Sequence, residues 1–87
     1  MTQLETTTEA IMAEMKLVLA DTFEVDADDI QPSADLFEDL GLDSIDAVDL
    51  VILFGQKLNK QLDQEAFQSI RTVQEAVTAI HAAAVQG

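Results

Sequence analysis

The chain contains no cysteine among its 87 residues, which removes disulfides, thiolate nucleophiles and cysteine-ligated zinc from its possible chemistry. The same absence fits a reducing compartment. Basic residues are almost as scarce: four lysines and arginines face seventeen acids, for a formal charge of −13. A nucleic-acid backbone or an anionic membrane surface would be repelled, so neither is expected as a partner. No apolar run approaches the roughly 18–20 residues needed to cross a bilayer. The first ten residues, MTQLETTTEA, hold neither the basic nor the apolar stretch of a signal peptide. A cytoplasmic protein is the expectation. With one proline and three glycines, and no stretch alternating apolar and polar at period two, strands are not expected.

A hydrophobic content of 48% excludes wholesale disorder. The length suits one domain over residues 1–87, with a small core that buries about 60–65% of the surface of the unfolded chain. The charge is unevenly placed. Eleven of the seventeen acids and none of the four bases lie between Asp21 and Asp49. Such a segment steers toward proteins with basic patches.

Periodicity predicts helices. The first runs from about Thr7 to Glu24, opened by a capping box of Thr6 with Glu9 and carrying the stripe Ile11, Met15, Val18, Leu19 and Phe23. A long connector follows, VDADDIQPSADLFEDLGLD. Its Ile30, Leu36, Phe37, Leu40 and Leu42 are apolar enough to pin it to the core, with a short helical turn at ADLFEDL that Gly41 ends. The second helix is expected from Asp43 or Ser44 to about Leu58, with Leu50, Val51, Phe54 and Leu58 facing inward while Ile45, Val48 and Ile52 point elsewhere. A short helix around DQEAFQSI comes next. The last, TVQEAVTAIHAA, starts on a Thr72–Glu75 capping box, turns Val73, Ala76, Val77 and Ile80 inward, and frays along HAAAVQG. The expected fold is all-α: a small antiparallel helical bundle of three main helices plus one short helix, with a long loop between the first and second.

The chemistry-bearing stretch is DLFEDLGLDSIDAVDLV, residues 35–51, in which Ser44 stands among six carboxylates. A nucleophilic serine needs a positioned base and oxyanion donors. Ser44 lacks the Gly-x-Ser-x-Gly elbow, the lone histidine, His81, lies far along the last helix, and the neighbouring acids oppose developing negative charge. Catalysis by this serine is therefore not expected. An N-cap role is chemically sound, since a serine ahead of an apolar helical run stabilises by about 1 kcal/mol. It leaves Asp43 as an equally good cap one residue earlier, and it leaves Ile45, Val48 and Ile52 beside Asp46 and Asp49 without a purpose. Exposed apolar residues within an acidic rim mark a docking surface. On a third reading Ser44 is a handle modified by another enzyme, where a phosphodiester would meet the N–H groups and dipole of a helix N-terminus.

DLFEDLGLDSIDAVDLV closely resembles the attachment-site signature of acyl carrier proteins, an Asp-Ser-Leu core preceded by Gly-Leu. The resemblance extends to the apolar helix before it and FQSIRTVQEAV after it, from about Ile11 to Ile80. It implies that Ser44 carries 4′-phosphopantetheine, transferred from coenzyme A by a phosphopantetheinyl transferase, and that the arm's thiol holds acyl groups as thioesters. Asp43, Asp46 and Asp49 match acidic positions that pair with Arg and Lys of partner enzymes; Ile45, Val48 and Ile52 match the apolar contacts. Implied partners are ketosynthase, ketoreductase, dehydratase and acyltransferase-type enzymes, and a second carrier or other protein in a complex. The helix interior is implied to shelter the acyl chain. The chain itself is not expected to be an enzyme.

Two departures stand out. Ile45 replaces the commoner leucine, a stiffer β-branched contact. Gly55, Gln56 and Lys57 occupy positions where fatty-acid carriers usually bear glutamates, and Gly55 costs a helix about 1 kcal/mol relative to alanine. These departures point to a dedicated pathway such as aryl polyene, polyketide or specialised lipid synthesis, with general fatty-acid synthesis and drift on a solvated face as the alternatives. From another class, the chain could be an acidic helical interaction module in which Ser44 is only a cap. A calcium loop starting at Asp26 fails, because Gln31 and Phe37 stand where glycine and glutamate are needed. No metal site is expected, beyond weak divalent binding that relieves self-repulsion.

Overall fold

The computed structural model describes residues 7–62, 67 and 69–85. Its elements are α1 (Thr8–Asp21), a 3₁₀ turn (Ala27–Asp29), α2 (Ser44–Leu58) and α3 (Val73–Val85). Among the described residues there is no strand, and a lone bridge pairs Asp35 with Thr72. No described helix is long and apolar enough to cross a membrane.

Helix α1 opens on Thr7, whose hydroxyl accepts a hydrogen bond from the Ala10 N–H at 3.1 Å; the expected cap, Thr6, lies outside the described residues. The helix closes at Asp21, three residues short of the sequence expectation. Glu24 takes a left-handed φ of 58°, and the Val25 N–H reaches back to the Leu19 carbonyl at 3.0 Å. The chain thus turns before Phe23 could extend the stripe, and Phe23 packs half-buried beyond the helix end. Ile11, Met15, Val18 and Leu19 join the core as the spacing predicts.

The connector is anchored as expected: Ile30, Leu36 and Leu42 are buried, and Phe37 and Leu40 pack against the core. The ADLFEDL turn forms as a single closed turn. The Asp39 N–H donates to the Asp35 carbonyl at 3.0 Å, and Gly41 ends the turn at a φ of +76° that favours glycine. The 3₁₀ turn is an addition; Asp26 caps it by accepting from the Asp28 N–H at 3.0 Å. Of the short helix expected around DQEAFQSI, residues 63–66 and 68 lie outside the described residues, while Phe67 and Ile70 are buried. The last helix does not fray at HAAAV. It continues to Val85 with Ala84 buried, because alanine is a strong helix former and Ala84 finds a place in the core.

Gly55 is buried rather than set on a solvated face. After α2, Asn59 adopts φ 54° and the chain folds back, so that the Lys60 N–H donates to the Gly55 carbonyl at 2.9 Å. A Cβ at position 55 would stand 2.8 Å from the Lys60 carbonyl oxygen, a backbone atom that cannot swing away. Gly55→Ala is therefore expected to destabilise despite alanine's better helix propensity, by about 1–3 kcal/mol. A thermal melt should show a loss of at least several degrees; an unchanged or higher midpoint would show that the return is free to shift.

Candidate functional site

Helix α2 begins where the sequence places it, and the structure decides which residue caps it. Asp43 Oδ1 accepts from the Asp46 N–H at 2.9 Å, and Asp46 Oδ2 accepts from the Asp43 N–H at 3.3 Å. This reciprocal box makes Asp43 the N-cap, so the reading of Ser44 as the cap is corrected. Ser44 is the first helical residue and is exposed. The Ala47 N–H goes to the Asp43 carbonyl at 3.0 Å. Of the four N–H groups that a helix start leaves without intrahelical partners, those of Asp43 and Asp46 are committed to the box. Those of Ser44 and Ile45 find no partner among the described residues.

The N-terminus of α3 shows the contrast. Its Val73 and Gln74 N–H groups donate to the connector carbonyls of Ala34 and Pro32 at 3.0 and 2.9 Å. Its Glu75 N–H donates to Thr72 Oγ1 at 3.1 Å, completing the expected capping box, in which Glu75 Oε1 accepts from the Thr72 N–H at 3.0 Å. The connector fills one helix start and leaves the start at Ser44 open.

The same connector positions Ser44. The Leu36 N–H donates to the Arg71 carbonyl at 2.7 Å, and the Leu42 N–H to the Leu36 carbonyl at 3.0 Å. Two residues before the serine, Leu42 is buried. Arg71 secures the outer side: its Nε donates to Asp35 Oδ2 at 3.1 Å, and its guanidinium lies 5.6 Å from the centre of the Phe37 ring. Sequence reasoning missed this clamp, since residues 36 positions apart share no periodic signal.

The Glu38 N–H, at 2.9 Å from Asp35 Oδ1, is the chief reason that the Asp35 carboxyl is held below the usual carboxylate range; the Phe37 N–H and Arg71 act the same way, against partial desolvation. The N–H groups of Thr72 and Arg71 hold Glu75 down similarly. A carboxyl more acidic folded than unfolded stabilises fully above its unfolded pKa, and that gain is lost as pH falls through the lower folded value. The melting temperature is therefore expected to hold from pH 7 to about 5 and to drop below about pH 4. In Asp35→Asn the acid-side drop should shrink. An identical drop in the variant would show that Asp35 carries none of it.

Beyond Ser44, α2 divides into two faces. Leu50, Val51, Phe54 and Leu58 are buried as expected, whereas Ile45 is 71% exposed, Ile52 44% and Val48 39%. Positions 45, 48 and 52 share one side of a helix, flanked by exposed Asp43 and Asp49 and half-buried Asp46. All the sequence-predicted site residues therefore lie on one structural element or its cap. Lys57, counted among the departures, is occupied elsewhere: its Nζ pairs with Glu14 of α1 at 2.9 Å. His81 lies half-buried on α3.

The sequence profile of the family described as "Phosphopantetheine attachment site" matches residues 13–80. "Acyl carrier protein 2" of Ralstonia nicotianae is 38% identical over 70 residues, covering 80% of this chain and 86% of that protein. "Acyl carrier protein" of Coprothermobacter proteolyticus is 39% identical over 72 residues, covering 83% and 88% respectively. The residues present fit a covalently attached phosphodiester: an exposed primary hydroxyl, two open amide N–H groups beside it, and neighbouring carboxylates tied into the cap. With this site at the start of α2 and these likenesses over most of its length, the chain belongs to the acyl carrier proteins, carriers rather than catalysts, whose cofactor is a covalently bound 4′-phosphopantetheine.

Proposed function

We propose that Ser44 is the residue that bears the arm, and that the Ile45–Val48–Ile52 face with Asp43, Asp46 and Asp49 is what partner enzymes grip. Family membership already implies a phosphopantetheinyl transferase and biosynthetic enzymes as partners. The observation that carries the choice of residue is the displaced cap. Because Asp43 closes the helix start, the Ser44 hydroxyl is left out of the capping hydrogen bonds and exposed. Bound there, the arm supplies a terminal thiol that holds acyl groups as thioesters. The protein's own part is to present the hydroxyl and to meet the phosphodiester charge with the N–H groups of Ser44 and Ile45. It also offers a face whose exposed ion pairs, each worth about 0–1 kcal/mol, release as readily as they form.

The cargo belongs to a dedicated pathway, of the aryl polyene, polyketide or specialised lipid kind, in which ketosynthase, ketoreductase, dehydratase and acyltransferase-type enzymes take turns on α2. Gly55 and Lys57 have structural reasons for being what they are, and Ile45 and Gln56 are the exposed departures that support this reading. Incubation with coenzyme A, Mg²⁺ and a broad-specificity phosphopantetheinyl transferase tests the attachment. The chain should gain about 340 Da, the approximate mass of the arm, on the peptide that holds Ser44. No gain, or a gain on another peptide, would refute the assignment.

A further inference from the structure

At the far end of α2 the helix and the returning chain enclose an open groove of about 530 Å³. Val51, Gly55 and Leu62 contribute to its lining, and so do Ile52, Gln56 and Lys60. Ile52 is also the last apolar residue of the docking face, so the groove continues that face. The groove exists because Gly55 lets the Lys60 backbone approach. A side chain there would stand 2.8 Å from the Lys60 carbonyl oxygen and push the return away. The charge changes along the way. Asp43, Asp46 and Asp49 line the first half of α2, whereas the described residues that line the groove include a lysine and two glutamines, Gln56 and Gln61, and no acid. Lys57 does not contribute, being paired with Glu14.

Resting on the carrier reading of Ser44 and α2, we propose that Gln56 and Lys60 form a charge-reversed end of the docking face, which favours partner enzymes that place a carboxylate opposite Lys60 and disfavours enzymes whose basic patch runs the whole length of α2. Each end acts through long-range charge, so its effect falls on encounter and on KM, and salt screens it. A partner that is basic opposite the aspartates and acidic opposite the groove is complementary at both ends. It also docks in one direction only, because reversing it along α2 would set like charges together at each end.

The test uses the phosphopantetheinylated protein, loaded with a malonyl group, and a general fatty-acid ketosynthase whose carrier-docking patch is basic throughout. Mass spectrometry first establishes loading at Ser44; failure of the unaltered chain to load would overturn the carrier reading and this inference with it. Given loading, the double change Gln56→Glu with Lys60→Glu should raise kcat/KM about five- to tenfold at low salt, mainly through KM, with most of the gain lost at high salt. Lys60→Gln should give a smaller gain. Lys16→Glu, which places the charge change of Lys60→Glu alone on exposed α1, should stay within about twofold. Equal gains from Lys16→Glu would reduce the effect to net charge and overturn the proposal. So would rates unmoved by the double change in loaded, folded protein. If the groove instead holds cargo, Ile52→Ala should speed hydroxylamine cleavage of an octanoyl thioester while the ketosynthase ignores Lys60, which would equally overturn it.

Discussion

Ser44→Ala is expected to remove the mass gain completely while leaving the fold in place. The two halves of this result come from different observations. The hydroxyl is the atom to which the arm is attached in the proposed function, so its loss leaves the transferase no acceptor. The fold is indifferent because the capping bonds belong to Asp43 and Asp46, and alanine is well accommodated in a first helical turn. The melting temperature should stay within the range of a neutral surface change, about ±0.5 kcal/mol. Asp43→Ala should behave in the opposite way, losing about 0.5–2 kcal/mol with the cap while still gaining about 340 Da at the end point, the mass of the arm, though more slowly for the lost docking carboxylate. Thermal melts and intact-mass spectra of the two variants separate cap from handle. Destabilisation by Ser44→Ala of the size expected for Asp43→Ala would mean that the serine holds the helix after all.

The second large effect is on stability. Phe54 is fully buried on the inner face of α2, and Phe54→Ala should cost about 3–5 kcal/mol, the sum of lost burial and an unfilled cavity. A folded domain has only about 0.05–0.15 kcal/mol of stability per residue, so a chain this short loses a large part of its margin. Urea unfolding should shift to a much lower midpoint, or the variant should be unfolded in buffer. Ile45→Ala, on the same helix but 71% exposed, should stay within about 0.5 kcal/mol of the parent and instead weaken partner turnover. The contrast tests whether one helix separates stability from recognition. A Phe54→Ala loss below about 1 kcal/mol would mean that the bundle closes around the gap.

Much of this division was legible in the residues. Leu50, Val51, Phe54 and Leu58 fall on one side of a 3.6-residue repeat and Ile45, Val48 and Ile52 on another, and the exposures follow that geometry. The end of α1 was less legible. The apolar stripe runs on through Phe23, but the helix stops at Asp21 because Glu24 turns left-handed and Val25 bonds back to Leu19. Periodicity reports which residues want burial and is silent on where the chain turns to deliver them. The tail misled in the other direction: HAAAV looked like a fraying end, but Ala84 had a core contact to make.

By itself, the amino-acid order determined the three main helices, the inward and outward faces of α2, the connector's anchors and the one hydroxyl of interest. The helices, faces and anchors follow from local spacing, which a chain carries before it folds; the hydroxyl was singled out by the resemblance of its surroundings to an attachment-site signature. Only the tertiary structure decided that α3's first amides would be consumed by the connector while those of Ser44 and Ile45 find no partner among the described residues. It also decided that Gly55 makes room for Lys60, and that Lys57 is spent on Glu14. Those outcomes depend on which distant groups meet, and a hydrogen bond or a close approach between remote residues has no period to read.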